Sequence, residues 1–247
     1  KSWTLPHPQS SAFYSFGRLT FLGVCLDSQH HSYCVIIPTL NEAANIAGVI
    51  RLAGPARTLV VDGGSSDGTI EIVRKSGARL VVDRTPGNGR AYKVGLENAD
   101  TEFIALLDGD GTYDPRDLPA AVELAVREGA DAVFGERLSK KGNYMRLPRY
   151  WGNVAVSVFL SLLFIKWMPD TQSGFLILRR SVALRHLPKS DGMPHIQEIK
   201  IGMGRAGCKC LWLPISYYDR ETGSKFRFFR DGFGLVFHGL RMRLGLA

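Results

Sequence analysis

Tyr33-Cys34-Val35-Ile36-Ile37-Pro38-Thr39-Leu40-Asn41 is the stretch on which the reading of this chain turns. Cys34 to Ile37 form a continuous apolar run, which suits a strand buried on both faces of a parallel sheet better than a half-solvated one. Pro38 predicts the end of that strand. Asn41 is placed to cap a helix whose apolar positions Ile46, Val49, Ile50 and Ala53 recur at helical spacing up to Gly54-Pro55. Working outward, Thr58-Leu59-Val60-Val61 reads as a second strand. The turn Asp62-Gly63-Gly64-Ser65-Ser66-Asp67-Gly68 and a helix through Ile72 follow it. Leu80-Val81-Val82 is a third strand; a glycine-rich loop and a helix around Ala91 to Leu96 lead to a fourth, Phe103-Ile104-Ala105-Leu106-Leu107, which ends on Asp108. Strands alternating with helices imply an α/β fold, a doubly wound and mostly parallel sheet flanked by helices, with right-handed crossovers. Ligands of such sheets sit beyond the carboxyl ends of the strands, where Asp62 and Asp108 both fall.

With 247 residues, 45% of them hydrophobic, the chain can bury one substantial core, so a single domain with appendages is expected. Residues 1–139 carry 13 Lys/Arg and 17 Asp/Glu, a net of −4, whereas residues 140–247 carry 18 and 6, a net of +12. A basic second half calls for an anionic partner such as a phosphorylated substrate or a phospholipid surface. Nucleic acid is set aside, because no helix-turn-helix, zinc-finger or RNP-like signature is found. The longest apolar run, Val154 to Phe164, falls short of the roughly 20 residues of a membrane span. Residues 1–32 lack the layout of a secretory signal and are assigned no function. Cys25, Cys34, Cys208 and Cys210 have no zinc-site spacing and read as reduced, structural thiols.

Asp108-Gly109-Asp110 places two carboxylates on either side of a glycine at a strand's exit, where they can share a hard cation through oxygen. An acidic turn alone is a weak signal, since such turns are common; its position after a buried strand in a strand-helix array gives it weight. The turn from Asp62 to Gly68 lets backbone approach a ligand closely, with Asp62 free to accept from a base or a ribose hydroxyl; a plain turn capped by Ser66 or Asp67 is the alternative. Gly87-Asn88-Gly89-Arg90 departs from the dinucleotide pattern at Tyr92, and Arg90 or Lys93 is placed either to reach a phosphate or to be a solvated helix residue.

In this order, Val35 to Glu42, Val61 to Thr69, and Leu107 to Pro115 with its Asp-Gly-Asp-Gly-Thr-Tyr-Asp-Pro run resemble the successive signatures of family 2 glycosyltransferases of the GT-A fold. Gly135-Glu136-Arg137, Arg149 with Gly152-Asn153, Asp170 to Phe175, Glu198, and Tyr218 to Phe226 are similar to segments of the dolichol-phosphate mannose and glucose synthases and their polyprenyl-phosphate relatives. The likeness runs from about Tyr33 to Gly234. It implies a GT-A catalytic domain over 33–226; residues 1–32, which it does not cover, are read as an N-terminal extension, and the spacing of aromatic and basic residues gives a C-terminal amphipathic basic helix over 227–247. It further implies that Pro38, Thr39, Glu42 and Asp62 frame the nucleoside, with Arg90 and Gln172 on the nucleotide sugar, and that Asp108 and Asp110 hold Mg²⁺ or Mn²⁺. Arg137, Arg149 and Asn153 match positions that hold the acceptor phosphate, with Arg137 and Arg149 counted among the catalytic residues. Arg220 and Lys225 match a mobile basic loop over the donor. Two departures stand out: many mannose synthases have a second aspartate where this chain has Gly63, and a glutamine metal ligand where it has Thr112. The Gly-Asp-Gly-Thr-Tyr run and Gly152-Asn153 look more like the glucose and N-acetylhexosamine branch, which favours a UDP-sugar donor over GDP-mannose.

The expected reaction is inverting transfer of a hexose to a polyprenyl or dolichyl phosphate, whose oxygen is already an anion and needs positioning more than a base. A sugar hydroxyl acceptor, the alternative, would need a carboxylate base, with Asp170 and Glu198 as candidates; each could instead support neighbouring basic residues. A catalytically idle nucleotide-sugar-binding protein is the remaining alternative, which the intact acidic pair disfavours. Two apolar segments, one with Tyr150, Trp151, Val154, Val158, Leu162 and Ile165, the other with Phe226, Phe229, Phe233, Val236, Phe237 and Leu240, are expected as interfacial helices. They would hold a peripheral enzyme on the cytoplasmic face of the membrane, against anionic lipid; packing on the sheet or on another subunit would give the same pattern.

Overall fold

The computed structural model describes residues 32–139, 145–218 and 228–246. Seven strands make one sheet: β1 (Tyr33–Thr39), β2 (Thr58–Asp62), β3 (Arg79–Val82), β4 (Phe103–Leu106), β5 (Ala132–Glu136), β6 (Leu176–Arg179) and β7 (Cys210–Pro214). Their order is β3-β2-β1-β4-β6-β5-β7. All neighbours are parallel except β6, which runs antiparallel to both β4 and β5. The four strands read from the sequence are β1 to β4. The remaining three lie in segments that the strand-helix reading left as motifs or unassigned, and together they extend the sheet on the β4 side.

The helices α1 (Ile46–Ala53), α2 (Thr69–Ser76), α3 (Asn88–Asn98), α4 (Leu118–Arg127), α5 (Leu147–Phe164), α6 (Arg180–Ala183), α7 (His195–Arg205) and α8 (Phe228–Arg243) complete the domain. Ile46, Val49, Ile50 and Ala53 of α1 are all buried, in the core layer that also holds Val35 and Ile37. Cys34 and Ile36 point into the opposite layer with Leu96, Ile199 and Met203. A strand whose successive side chains alternate between two apolar layers must be apolar throughout.

Two expectations at the end of β1 are corrected. The strand runs through Pro38 to Thr39, paired there with Val61 and Asp62 of β2. Pairing with β4 stops at Ile36, whose carbonyl accepts from Leu107 N at 3.2 Å, so the ring of Pro38 replaces an N–H on the side where β1 and β4 part and no ladder bond is lost. That parting is where the strand order reverses, the position at which open α/β sheets hold ligands. Asn41 does not cap α1, which begins five residues later after Asn45. Asn41 instead adopts the left-handed conformation, φ 55°, which asparagine tolerates, and turns its side chain towards the neighbouring loop.

Candidate active site

The exits of β1 and β2 are bolted together by side chains. Asn41 Oδ1 accepts from Ser66 N at 2.9 Å while Asn41 N donates to Ser65 Oγ at 2.8 Å. Glu42 N donates to Thr69 Oγ1 at 2.9 Å, and Ala43 N to Asp67 Oδ2 at 3.0 Å. Asp62 is fully buried at the centre of this lock. Its Oδ1 accepts from Gly64 N and Ser65 N at 2.9 and 2.7 Å, and its Oδ2 from Thr39 Oγ1 and Ser65 Oγ at 3.1 and 2.6 Å. Four donors fill the acceptor capacity of a carboxylate, so Asp62 builds the loop, and a base or ribose would have to displace one of them.

Asp108, Gly109 and Asp110 lie just past β4. A methyl group on Gly109 would stand 2.7 Å from Thr39 Cγ2, so glycine lets the acidic turn pack directly on the end of β1. Thr112 donates from both its amide (3.1 Å) and its hydroxyl (2.7 Å) to Oδ1 of Asp110, orienting that carboxylate. Thr112 is itself buried. A methyl on Gly174 would meet Asp108 Oδ2 at 3.3 Å, so the turn before β6 walls the other side. Gly174 N donates to the buried Tyr113 hydroxyl at 2.7 Å. Two carboxylates fixed on one turn at the mouth of the β1/β4 crevice form a donor set that fits Mg²⁺ or Mn²⁺, the remaining positions going to substrate oxygens and water. Among the described residues no group of three or more His, Cys, Asp and Glu gathers at metal-ligand spacing.

Several expected contacts fall elsewhere. Arg137 is buried, and its guanidinium grips Asp170 with Nε–Oδ2 at 2.7 Å and the Nη2–Oδ1 pair at 2.8 Å. Burial pushes the Asp170 carboxyl up, but the Arg137 guanidinium, with Lys200 behind it, outweighs that and holds it below the usual carboxylate range. Two of its guanidinium nitrogens are thus engaged by Asp170, which fixes the orientation of Arg137 in the site. Arg149 is partly exposed and lies over the Tyr217 ring at 5.8 Å, with Arg137 at 5.1 Å from the same ring. Asn153 Nδ2 points to Met145 Sδ at 3.3 Å, and Gln172 Nε2 to Thr171 Oγ1 at 2.9 Å.

Arg90 pairs with Asp83 at 2.8 Å and Lys93 with Asp191 at 3.0 Å. The glycines of that loop serve packing: added methyls on Gly87 and Gly89 would fall 2.0 and 2.3 Å from the carbonyl oxygens of Asp191 and Ser190. This loop packs against residues 189–191. Glu198 accepts from Lys189 N and Ser190 N, and its Oε1 lies 2.8 Å from His238 Nε2 of α8. Pro38 and Thr39 end β1, with Thr39 beside Gly109 of the acidic turn, and Glu42 follows with its amide on Thr69. Arg220 and Lys225 lie outside the described residues.

The apolar residues of α5 turn outward, as expected of the first apolar segment, while its serines turn in. Ser157 and Ser161 face inward: Ser157 Oγ accepts from Thr171 N at 3.0 Å and Ser161 Oγ from Met168 N at 3.0 Å. The outer line, Leu147, Trp151, Ala155, Val158, Leu162 and Ile165, is apolar and exposed throughout. The 3.6-residue period shows that a helix has an apolar face but not which way it looks. On α8, Leu235 is buried and a methyl on Gly239 would meet Leu160 Cδ2 at 2.4 Å, while Phe237 and Leu240 are exposed. The side chains of Phe226, Phe229 and Phe233 lie outside the described residues. No helix among those described is long and apolar enough to cross a membrane.

Residues 34–186 match the description of glycosyl transferase family 2. Glycosyltransferase AglJ of Haloferax volcanii is 34% identical over 218 residues, spanning 85% of this chain and 71% of that protein. Dolichyl-phosphate hexose transferase of the same organism is 30% identical over 203 residues, with 80% and 88% covered. In fold, the chain is similar to glucosyl-3-phosphoglycerate synthase from Mycobacterium tuberculosis, crystallised with Mn²⁺, UDP and glucosyl-3-phosphoglycerate. There the TM-score is 0.70 at 23% identity, over 88% of this chain and 81% of the other.

Proposed function

The chain belongs to glycosyl transferase family 2, and from that membership we propose that it moves a hexose from a nucleoside diphosphate sugar, UDP-linked in preference to GDP-linked, to a polyprenyl or dolichyl phosphate at a membrane surface. The observation that carries the lipid acceptor is α5. Its outer line of exposed apolar residues runs about 27 Å at 1.5 Å per residue and begins at the turn of helix that holds Arg149 and Asn153. A helix that turns serines inward and leucine, tryptophan and isoleucine outward is built to face lipid, and nearby cations add attraction to anionic headgroups of about 1 kcal/mol each. The 30% identity to a dolichyl-phosphate hexose transferase supports the same acceptor class.

Asp108 and Asp110 would hold Mg²⁺ or Mn²⁺, which when bound stabilises the charge that develops on the leaving diphosphate. The protein's own part is placement. The locked β1 and β2 loops fix the nucleoside edge of the crevice, and Gly174 bounds the carboxylates on the acceptor side. Arg149, laid over Tyr217, supplies a cation for the incoming phosphate. Attack by that anion from the face opposite the nucleotide inverts the anomeric centre. The hydroxyl-acceptor alternative loses support, because Asp170 is saturated by Arg137 and Glu198 by two amides and His238. Each is held by neighbours within the fold, whereas a general base must reach the acceptor hydroxyl.

The test offers UDP- and GDP-sugars with a short polyprenyl phosphate and Mn²⁺ and follows label into the organic phase, alongside flotation on anionic vesicles. Transfer to a soluble sugar but none to lipid phosphate would refute the acceptor. Absence of vesicle binding at low salt would refute the membrane surface.

A further inference from the structure

Lys200, on α7 between Ile199 and Ile201, is 2% exposed. Its Nζ donates to the carbonyl oxygens of Asp170 and Ser173, each at 2.8 Å. These two carbonyls are the first and last of a four-residue turn, so one ammonium clamps both ends. The ends have separate duties. Asp170 receives Arg137, and Ser173 leads into Gly174, which packs on the Asp108 carboxylate and is held by the Tyr113 hydroxyl. The rings of Phe134 and Trp212 lie 5.6 and 5.2 Å from Nζ, offering π faces to the charge in place of water. A buried lysine is costly unless its charge is used.

We propose that Lys200 is a positioning residue for glycosyl transfer, whose charged clamp on the 170–173 turn sets Gly174 against Asp108 and so fixes the geometry of the cation-binding pair. This rests on the placement of the cation at Asp108 and Asp110. The clamp is sensitive to pH. Burial pushes the Lys200 ammonium down to about 7, against the opposing pull of the Asp170 carboxylate, while Arg137 reinforces the fall. Lys166, Arg205 and Cys210 line the cavity beside it, and Glu198, on its own helix, is taken by Lys189, Ser190 and His238. As pH rises through that value the amine loses its charge, and its hold on two carbonyl dipoles weakens.

The test uses Mn²⁺ and UDP as probes, titrated calorimetrically from pH 6.5 to 8.5 into the wild-type protein, Lys200→Arg and Lys200→Met. UDP's own ionisation is common to all three, so differences among them isolate this position. Wild-type affinity should fall across the range and that of Lys200→Arg should stay level. Lys200→Met should be weaker by about 10-fold at pH 6.5 and show no fall, in line with losses on removing groups that orient metal ligands. Its melting temperature should fall, because the Asp170 and Ser173 carbonyls lose their donor, so affinities are compared well below the unfolding transition. Lys200→Met that binds like the wild type at pH 6.5, or keeps the wild-type pH dependence, overturns the proposal. A wild-type protein that binds no Mn²⁺–UDP overturns the nucleotide-sugar reading and this inference with it.

Discussion

Ile165 closes α5 in the left-handed conformation, φ 51° and ψ 41°, with Lys166 N donating back to Ser161 O at 3.0 Å. That conformation costs an L-residue about 1–2 kcal/mol, and a β-branched side chain tolerates it badly. Burial does not offset it, because Ile165 is 87% exposed. Ile165→Gly removes the strain but loosens the unfolded chain by about 0.5–1 kcal/mol, so the folded protein should gain about 0.5–1 kcal/mol. For a chain of this size that raises the melting temperature by roughly 2–3 °C. The same substitution removes a side chain that contributes about 2 kcal/mol when transferred from water to lipid, so partitioning onto anionic vesicles should weaken by about 30-fold. Scanning fluorimetry and vesicle flotation read the two effects, which move in opposite directions. A lower melting temperature would refute the strain argument. Unchanged vesicle affinity would show that α5 does not face lipid.

Asp110→Asn keeps shape but removes an anionic ligand, and turnover should fall by on the order of 10²-fold, with activity lost in excess chelator; full activity in chelator would remove the cation from the mechanism. Gly89→Ala would press a methyl onto the Ser190 carbonyl at 2.3 Å and His195 Cβ at 2.9 Å, so the urea midpoint should drop by an amount worth about 1–3 kcal/mol, with the denaturant slope unchanged. Burial pushes the His195 imidazole down to about 4. Because the unfolded chain binds that proton near 6.5, stability should be full above 6.5 and decline towards pH 4, by about 3 kcal/mol in all. His195→Gln should flatten this limb, and an unaltered acid profile would assign it to other groups.

The parts of the fold legible in the sequence are those set by local pattern. Cys34 to Ile37 and Phe103 to Leu107 announce strands buried on both faces, and Asp108 falls at a strand exit because strand and acid are contiguous. Pro38 misled, since a proline ends a strand only where its missing N–H would have been bonded, and that depends on where β4 leaves β1. The partners of the charged residues were hidden for a similar reason. Arg137 meets Asp170 from 33 residues away, and the glycines at 87 and 89 are explained by residues 190 and 191. No spacing rule couples positions so distant. Lys200 left a trace, as one cation between two isoleucines on a helix, but its carbonyl partners are invisible before the 170–173 turn is placed.

The serines of α5 carry a further consequence. Ser157 and Ser161 fasten this helix to Thr171 and Met168, which flank Asp170 one residue after and two before it, by hydrogen bonds rather than by a sliding apolar contact. Were the outer face of α5 to rest in lipid, as proposed, the helix would work as a depth gauge. The height of the 170–174 turn above the headgroup plane would then be set by the width of one helix, and with it the height of the Asp108 carboxylate. Acceptors would be sorted by how far their phosphate rises from the bilayer, and a change in lipid packing that lifts or sinks α5 by an ångström or two would alter turnover without touching any residue that contacts the sugar.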